Sequence, residues 1–277
     1  MAVPDARKSL DVLANEWSSC TRCELGVRRY EANGRFVFGG GKLGKLMFIG
    51  EGPGTREEEE GRPFVGKSGQ FLKFILSRLN CTDYYLTNAV ACRSCAPMFD
   101  SLGRPILTRE NKPRIVDEAP TPVQTEACKA RLLEQIYLVD PVLIVSLGTS
   151  AATTLMGKSV TITKERGTFK EIEVPGVWRN AVLTEKKQQW VRKAKGAIVA
   201  PTEQNQVRYL AMLTVHPSFA LRFAKDYRDK NNFTVFWQDI QTAVHTFNRY
   251  VHEVMGYDRE ENINLNASEI EDYAAEL

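Results

Sequence analysis

An α/β fold built on a mainly parallel four-stranded sheet is what this 277-residue sequence predicts. Three observations predict it. Four short runs are almost continuously apolar and stop at turn or polar residues, as strands buried on both faces do. Segments with helical spacing of apolar residues lie between and around those runs. Strand and helix patterns alternate along the chain, which puts helices on both faces of the sheet.

In chain order, residues 45–50 (KLMFIG) form the first predicted strand. Residues 66–79 follow as a helix with Phe71, Leu72, Ile75 and Leu79 on one face. The second strand is 84–90 (YYLTNAV), and a helix over 125–139 carries Leu132, Leu133, Ile136 and Tyr137. The third strand is 142–147 (VLIVSL), followed after Gly148 by a helix over 150–156. The fourth is 210–215 (LAMLTV), and a long helix covers about 232–252. Two stretches fit this scheme poorly. Residues 95–125 hold five prolines with mixed charge, and residues 171–206 are polar with a basic run at 186–195. Both read as insertions into one domain spanning 1–252, and 253–277 reads as an acidic, flexible or loosely docked tail.

Composition excludes several classes. Hydrophobic residues at 43% and charged residues at 26% are ordinary globular usage, neither disordered nor membrane-embedded. No run of about 18 apolar residues is present to span a bilayer. Residues 1–10 carry Asp5, Arg7 and Lys8 without an apolar core, so no secretory signal is expected and the setting reads as cytoplasmic. Six cysteines need an explanation there, because stable disulfides are rare in that compartment. Cys20 with Cys23, and Cys92 with Cys95, form Cys-x-x-Cys pairs; Cys81 and Cys128 stand alone. Two such pairs suit a four-thiolate site holding zinc or an iron–sulfur cluster. The plainer alternative is that most are small buried apolar side chains.

In a parallel sheet the ligand lies beyond the carboxyl ends of the strands, so polar residues there are site candidates. The first strand runs into GEGPGTREEEEGRPFVGKSGQ, residues 50–70, where a glycine turn presents Glu51 and a later loop supplies Phe64. The turn lacks the Gly-Lys-Ser/Thr ending of a P-loop. Phe64 is either core or a ring on which a flat ligand stacks. The second strand ends at Asn88, whose amide offers the donor and acceptor that reading a base edge requires; the alternative is a loop-satisfying role. The fourth ends in Val215-His216-Pro217-Ser218, and of the three histidines His216 is the one so placed.

GEGPG…EGRPFVGKSGQ, TNAVAC and HPS, with the leading CTRC, resemble the family 4 uracil-DNA glycosylases, the iron–sulfur members of that superfamily. The matching blocks run from about Cys20 to Arg222. The resemblance implies a single three-layer α/β/α domain that hydrolyses the N-glycosidic bond of flipped-out deoxyuridine in DNA, acting as a monomer. It implies catalytic roles for Glu51, which positions or activates water, and His216, which stabilises charge on the departing base. Gly52, Phe64 and Asn88 would bind the base. Lys67, Ser68, Arg166, Ser218 and Arg222, with Lys225, would contact the DNA backbone. A [4Fe–4S] cluster would be held by Cys20, Cys23, Cys92 and Cys128, with Cys95 competing for the third place and Cys81 in the core. The gap between Cys92 and Cys128 is wider than the family's, and the insertion at 95–125 accounts for it. Two alternatives remain: an enzyme for another deaminated or modified base, and a non-cleaving DNA- or partner-binding member of the superfamily.

The net charge of +3 conceals an uneven distribution. Residues 253–277 carry net −7, so the remaining body is +10. A basic body suits a phosphate backbone, with binding that weakens steeply as salt rises.

Overall fold

The computed structural model describes residues 6–43, 45–175, 206–223, 230–255 and 266–277. Its centre is a six-stranded sheet. The four central strands, β3 (Tyr84–Asn88), β2 (Leu46–Gly50), β6 (Leu143–Leu147) and β8 (Gln206–Thr214), are mutually parallel. They are the four apolar runs of the sequence. Two antiparallel edge strands, β1 (Gly40–Gly41) and β7 (Phe169–Pro175), bring the count to six rather than four. The order across the sheet is β1-β3-β2-β6-β8-β7. β1 is two glycines and carries no pattern. β7 reads FKEIEVP, in which Ile172 and Val174 are buried between charged residues; this alternation marks an edge strand inside what reads as a polar insertion.

Alternation along β2 divides the core. Leu46 and Phe48 point to one face, against α4 (Lys67–Arg78) and the long α9 (Lys230–Met255), through Phe71, Ile75, Phe236 and Ile240. Met47 and Ile49 point to the other, against α5 (Pro122–Val139) and α6 (Thr149–Met156), through Leu132, Ile136 and Leu155. Helices α1 (Ala6–Ser18) and α2 (Glu24–Glu31) precede the sheet, α1 packs on α5, and the short α7 (Ile162–Glu165) and α8 (Pro217–Phe223) come before β7 and α9. From β2 the chain passes to β3 on one side and later to β6 on the other. The carboxyl end of β2 is therefore a switch point of the sheet, where parallel α/β folds open a crevice.

Three further expectations change. Helix α5 begins at Pro122, because Thr121 caps it by accepting from Gln124 N–H at 3.3 Å while Gln124 returns a bond to Thr121 N–H. The prolines that read as loop include the first helical residue. The proline-rich insertion carries regular structure: β4 (Cys95–Pro97) pairs antiparallel with β5 (Ile115–Asp117), and the chain between them is tied by backbone bonds. The acidic tail, which reads as flexible or loosely docked, carries a docked helix. Residues 267–276 form helix α10 (Ala267–Glu276), which buries Ile270 and Ala274 against the α4 face, stacks Tyr273 on Phe74 at 4.0 Å and pairs Glu269 with Arg78. The spacing of Ile270, Tyr273 and Ala274 supplies the apolar stripe that the acidic composition hides. The basic run at 186–195 and Lys225 lie outside the described residues.

Candidate active site

A cavity of ≈ 780 Å³ opens at the carboxyl ends of the central strands. Glu51 and Gly52 reach it from the turn after β2, Asn88 from the last position of β3, and His216 from the residues after β8. Phe64 enters from the loop between α3 (Thr55–Glu60) and α4. The five residues singled out as catalytic or base-binding thus share one cavity, although 165 positions separate the first from the last.

Glycine makes their approach possible. A Cβ on Gly50 would lie 2.4 Å from Asn88 Oδ1 and 2.8 Å from Phe64 Cζ, so the ring and the amide meet over a strand end that cannot carry a side chain. A Cβ on Gly69 would strike the Phe64 carbonyl at 2.2 Å. Phe64 itself holds φ 56°, a conformation uncommon for an aromatic residue and the kind of local strain that collects at ligand sites. Glu57 fixes the surrounding loop by accepting from Gly54 N–H (3.2 Å), Val65 N–H (2.8 Å) and Gly66 N–H (2.7 Å). One carboxylate therefore joins the glycine turn to the Phe64 loop.

His216 is half-buried, and its protonation is fixed by geometry. The Ser218 backbone N–H points to Nδ1 at 3.2 Å, and Ser218 Oγ lies 2.7 Å from the same nitrogen. A backbone N–H can only donate, so Nδ1 is the acceptor and neutral His216 carries its proton on Nε2. Burial, with the Arg222 charge second, pushes its pKa down to about 4, so the ring is neutral at pH 7. Glu51 accepts a hydrogen bond from Ser150 Oγ at 2.6 Å through one oxygen. Ser150 stands in the first turn of α6, and nothing in its local sequence signals that contact.

Behind Asn88 lies a buried polar network that sequence reasoning missed. Arg131 is fully buried on α5 and donates from Nη2 to the carbonyls of Asn88 (2.7 Å) and Ala89 (2.8 Å). Its Nη1 donates to Gln135 Oε1 (2.7 Å) and Thr87 Oγ1 (3.3 Å). Gln135 donates in turn to Phe38 O and Tyr85 Oη. A signal exists: Arg131 and Gln135 are four apart, one helical turn, and sit among the buried residues of α5.

Of the expected backbone contacts, Lys67, Ser68, Ser218 and Arg222 line the cavity. The Lys67 ammonium donates to the Leu277 carbonyl, and the Arg222 guanidinium lies 5.7 Å from the Phe219 ring. Arg166 is the exception. It makes a bidentate pair with Asp239 (2.6 and 3.0 Å), whose carboxylate also accepts from Thr214 Oγ1 at 2.6 Å. Burial raises the Asp239 pKa, opposed by the bonds from Thr214 and Arg166. Arg166 thus ties the turn before β7 to α9, and a DNA contact does not follow from its placement.

All six cysteines are free thiols. Cys23, Cys92 and Cys128 pack in one apolar cluster with Leu25, Val90 and Phe36. Arg29 is buried beside them, donating to Cys92 Sγ at 3.3 Å and to the carbonyls of Ser18 (2.7 Å) and Cys20 (3.4 Å). Burial pushes the Cys92 thiol up to about 11 despite Arg29. Cys95 lies on β4 outside the cluster, and Cys81 is in the main core. Among the described residues no three His, Cys, Asp or Glu side chains stand arranged to hold a metal ion.

Known proteins resemble this chain over more than half of its length. The type-4 uracil-DNA glycosylase of Thermotoga maritima is 35% identical over 162 residues, covering 57% of this chain and 72% of that protein. That of Archaeoglobus fulgidus is 30% identical over 173 residues (60% and 75%), and that of Sulfurisphaera tokodaii 34% over 180 residues (60% and 70%). The family model described as "Uracil DNA glycosylase superfamily" matches residues 38–241, a span that holds the whole sheet and every cavity residue discussed above. By that match, the chain belongs to the uracil DNA glycosylase superfamily.

Proposed function

We propose that the chain is a uracil-DNA glycosylase, which hydrolyses the N-glycosidic bond of a flipped-out deoxyuridine and leaves an abasic site. The observation that carries this is the meeting of Glu51, Phe64, Asn88 and a neutral, Nε2-protonated His216 around one cavity. A base must leave the stack before its sugar bond can be reached, at a cost of a few kcal/mol. Stacking on Phe64 and a paired amide edge at Asn88 offset that cost and select the base. As the bond to C1′ breaks, positive charge develops on the sugar and negative charge on the uracil. The His216 Nε2–H is fitted to donate to the departing base, a contribution of about 3 kcal/mol for one such preorganised donor. Glu51 holds water for attack at C1′, and its bond from Ser150 Oγ leaves the second carboxylate oxygen available to that water. Lys67, Ser68, Ser218 and Arg222 in the cavity wall suit the flanking phosphates.

The same reading includes a [4Fe–4S] cluster held by Cys20, Cys23, Cys92 and Cys128. What supports it is the grouping of the thiols: three of the four share an apolar pocket, and Arg29 donates to the Cys92 sulfur, as hydrogen bonds to cluster sulfurs do. When bound, the cluster would cross-link the N-terminal segment to β3 and α5 without entering catalysis. We take the enzyme to act as a monomer in the cytoplasm, where grouped cysteines serve metal clusters rather than disulfides.

Single- and double-stranded oligonucleotides with one uracil, treated with the protein and then with alkali, test the activity. Strand breaks at the uracil are expected, and their absence at large protein excess overturns the assignment. Breaks at hypoxanthine but not at uracil would give the enzyme another substrate. Iron and sulfide in protein purified without oxygen test the cluster; stoichiometric zinc without iron would refute it.

A further inference from the structure

The segment between β4 and β5 has an unusual architecture. Above the paired stem, three backbone bonds close a ring: Met98 N–H to Arg114 O (2.8 Å), Ile106 N–H to Met98 O (2.8 Å) and Arg114 N–H to Ile106 O (2.7 Å). From this junction two small turns project. One is closed by Asp100 and Arg104, the other by Thr108 and Lys112. In the first, the Asp100 carboxylate accepts from Leu102 and Arg104 N–H and from the Arg104 guanidinium. The result is a two-lobed element whose backbone is satisfied internally although it has almost no core of its own.

Its surface is the reverse of what such a lobe needs for solubility. Four of the nine large exposed apolar side chains among the described residues lie on it, with Phe99 at 55% and Leu102 at 73% exposure. Four basic residues accompany them against two acidic ones. Asp100 and Glu110 pair with Arg104 and Lys112, whereas Arg109 and Arg114 make no ion pair among the described residues. The stem adjoins the cavity, whose wall includes Ser94, Asp117, Glu118 and Ala119. Arg93 fastens it to the body through Asp117 (2.6 Å) and Glu58 (3.7 Å).

We propose that this two-lobed element is a second DNA-binding surface, which takes the unpaired bases flanking the flipped nucleotide. Phe99 and Leu102 supply stacking and wedging faces, and Arg109 and Arg114 pair with the adjoining phosphates. Two observations select DNA over another occupant: continuity with the cavity, which rests on the glycosylase reading above, and the two uncompensated guanidinium groups. Aromatic faces beside cationic side chains are how sequence-tolerant single-strand binding is built.

The test uses the full-length protein and an oligonucleotide without uracil, so that it does not depend on catalysis. Fluorescence anisotropy over a salt series is compared for the unaltered chain, Phe99→Ala, and the double variant Arg109→Ala with Arg114→Ala. On single strands, the double variant is expected to lower the slope of log K against log salt by about 1.4, or about 0.7 for each phosphate that is no longer neutralised. Phe99→Ala is expected to weaken single-strand binding about tenfold with little change in slope. All three positions are solvent-exposed, and circular dichroism checks that each variant is folded. Unchanged affinity and slope in both folded variants overturn the proposal. So does a dimer, detected by sedimentation, that Phe99→Ala dissociates while DNA affinity stays constant, for the surface then serves a second copy. Uracil release by the unaltered chain is scored separately. If it fails while the anisotropy differences hold, the glycosylase reading falls and the DNA-binding element stands.

Discussion

Replacing Arg131 with methionine tests whether the geometry of the base pocket is set from behind the sheet. The side chain is fully buried and makes four hydrogen bonds, two of them to the consecutive carbonyls of Asn88 and Ala89. Methionine fills much of the volume but donates nothing. Two buried carbonyls losing a donor cost about 1–3 kcal/mol each, and removing a buried charge returns part of that. A net loss of about 3 kcal/mol is expected, which for a chain of this size lowers Tm by about 6–12 °C. The functional effect should exceed what stability explains. With its carbonyl released, Asn88 no longer holds its amide fixed, and a displacement of about 1 Å is enough to lower kcat/KM by about 10–100-fold. A double-mutant cycle decides the matter. In an Asn88→Ala background, Arg131→Met should cost stability as before but little further activity. A variant that loses stability yet retains kcat/KM, or an activity loss that adds in full to that of Asn88→Ala, would refute the positioning argument.

Ser150→Ala removes the 2.6 Å bond to Glu51 and should lower kcat about tenfold with KM nearly unchanged, measured by single-turnover uracil release. His216, desolvated and facing Arg222, should titrate near pH 4, which its ring-proton NMR signals report; a midpoint near 6.5 would contradict the neutral donor. The same shift has a stability consequence. The unfolded chain binds this proton at the ordinary 6.5 and the folded chain only near 4, so the contribution is complete above pH 6.5 and is lost as pH falls through that window. Denaturant unfolding of His216→Gln should show a shallower acid decline. Arg166→Ala should destabilise by about 3–5 kcal/mol because Asp239 is left buried and unpaired, while the salt slope of DNA binding stays unchanged. A reduced slope would restore Arg166 as a phosphate contact.

Much of this protein is legible along the chain. The strand-end motifs are readable because the ends of parallel strands are where polar residues interrupt apolar runs, so Glu51, Asn88 and His216 stand out locally. The central strands and their helices are readable for the same reason, through periodicity. The edge strands, the capped start of α5 and the docking of residues 267–276 are not, since short, half-exposed or charge-rich elements dilute the pattern.

The sequence by itself determined the central strands and their helices, the alternation between them, and Glu51, Phe64, Asn88 and His216 as groups facing the cavity, because each depends on residues close together in the chain. Tertiary structure alone decided how those groups are held. Arg131 under Asn88, Ser150 on Glu51, Glu57 across the Phe64 loop and Arg166 committed to Asp239 join residues up to 99 positions apart. A hydrogen bond over that separation is fixed by the packing of the sheet and its helices, and no local pattern encodes it.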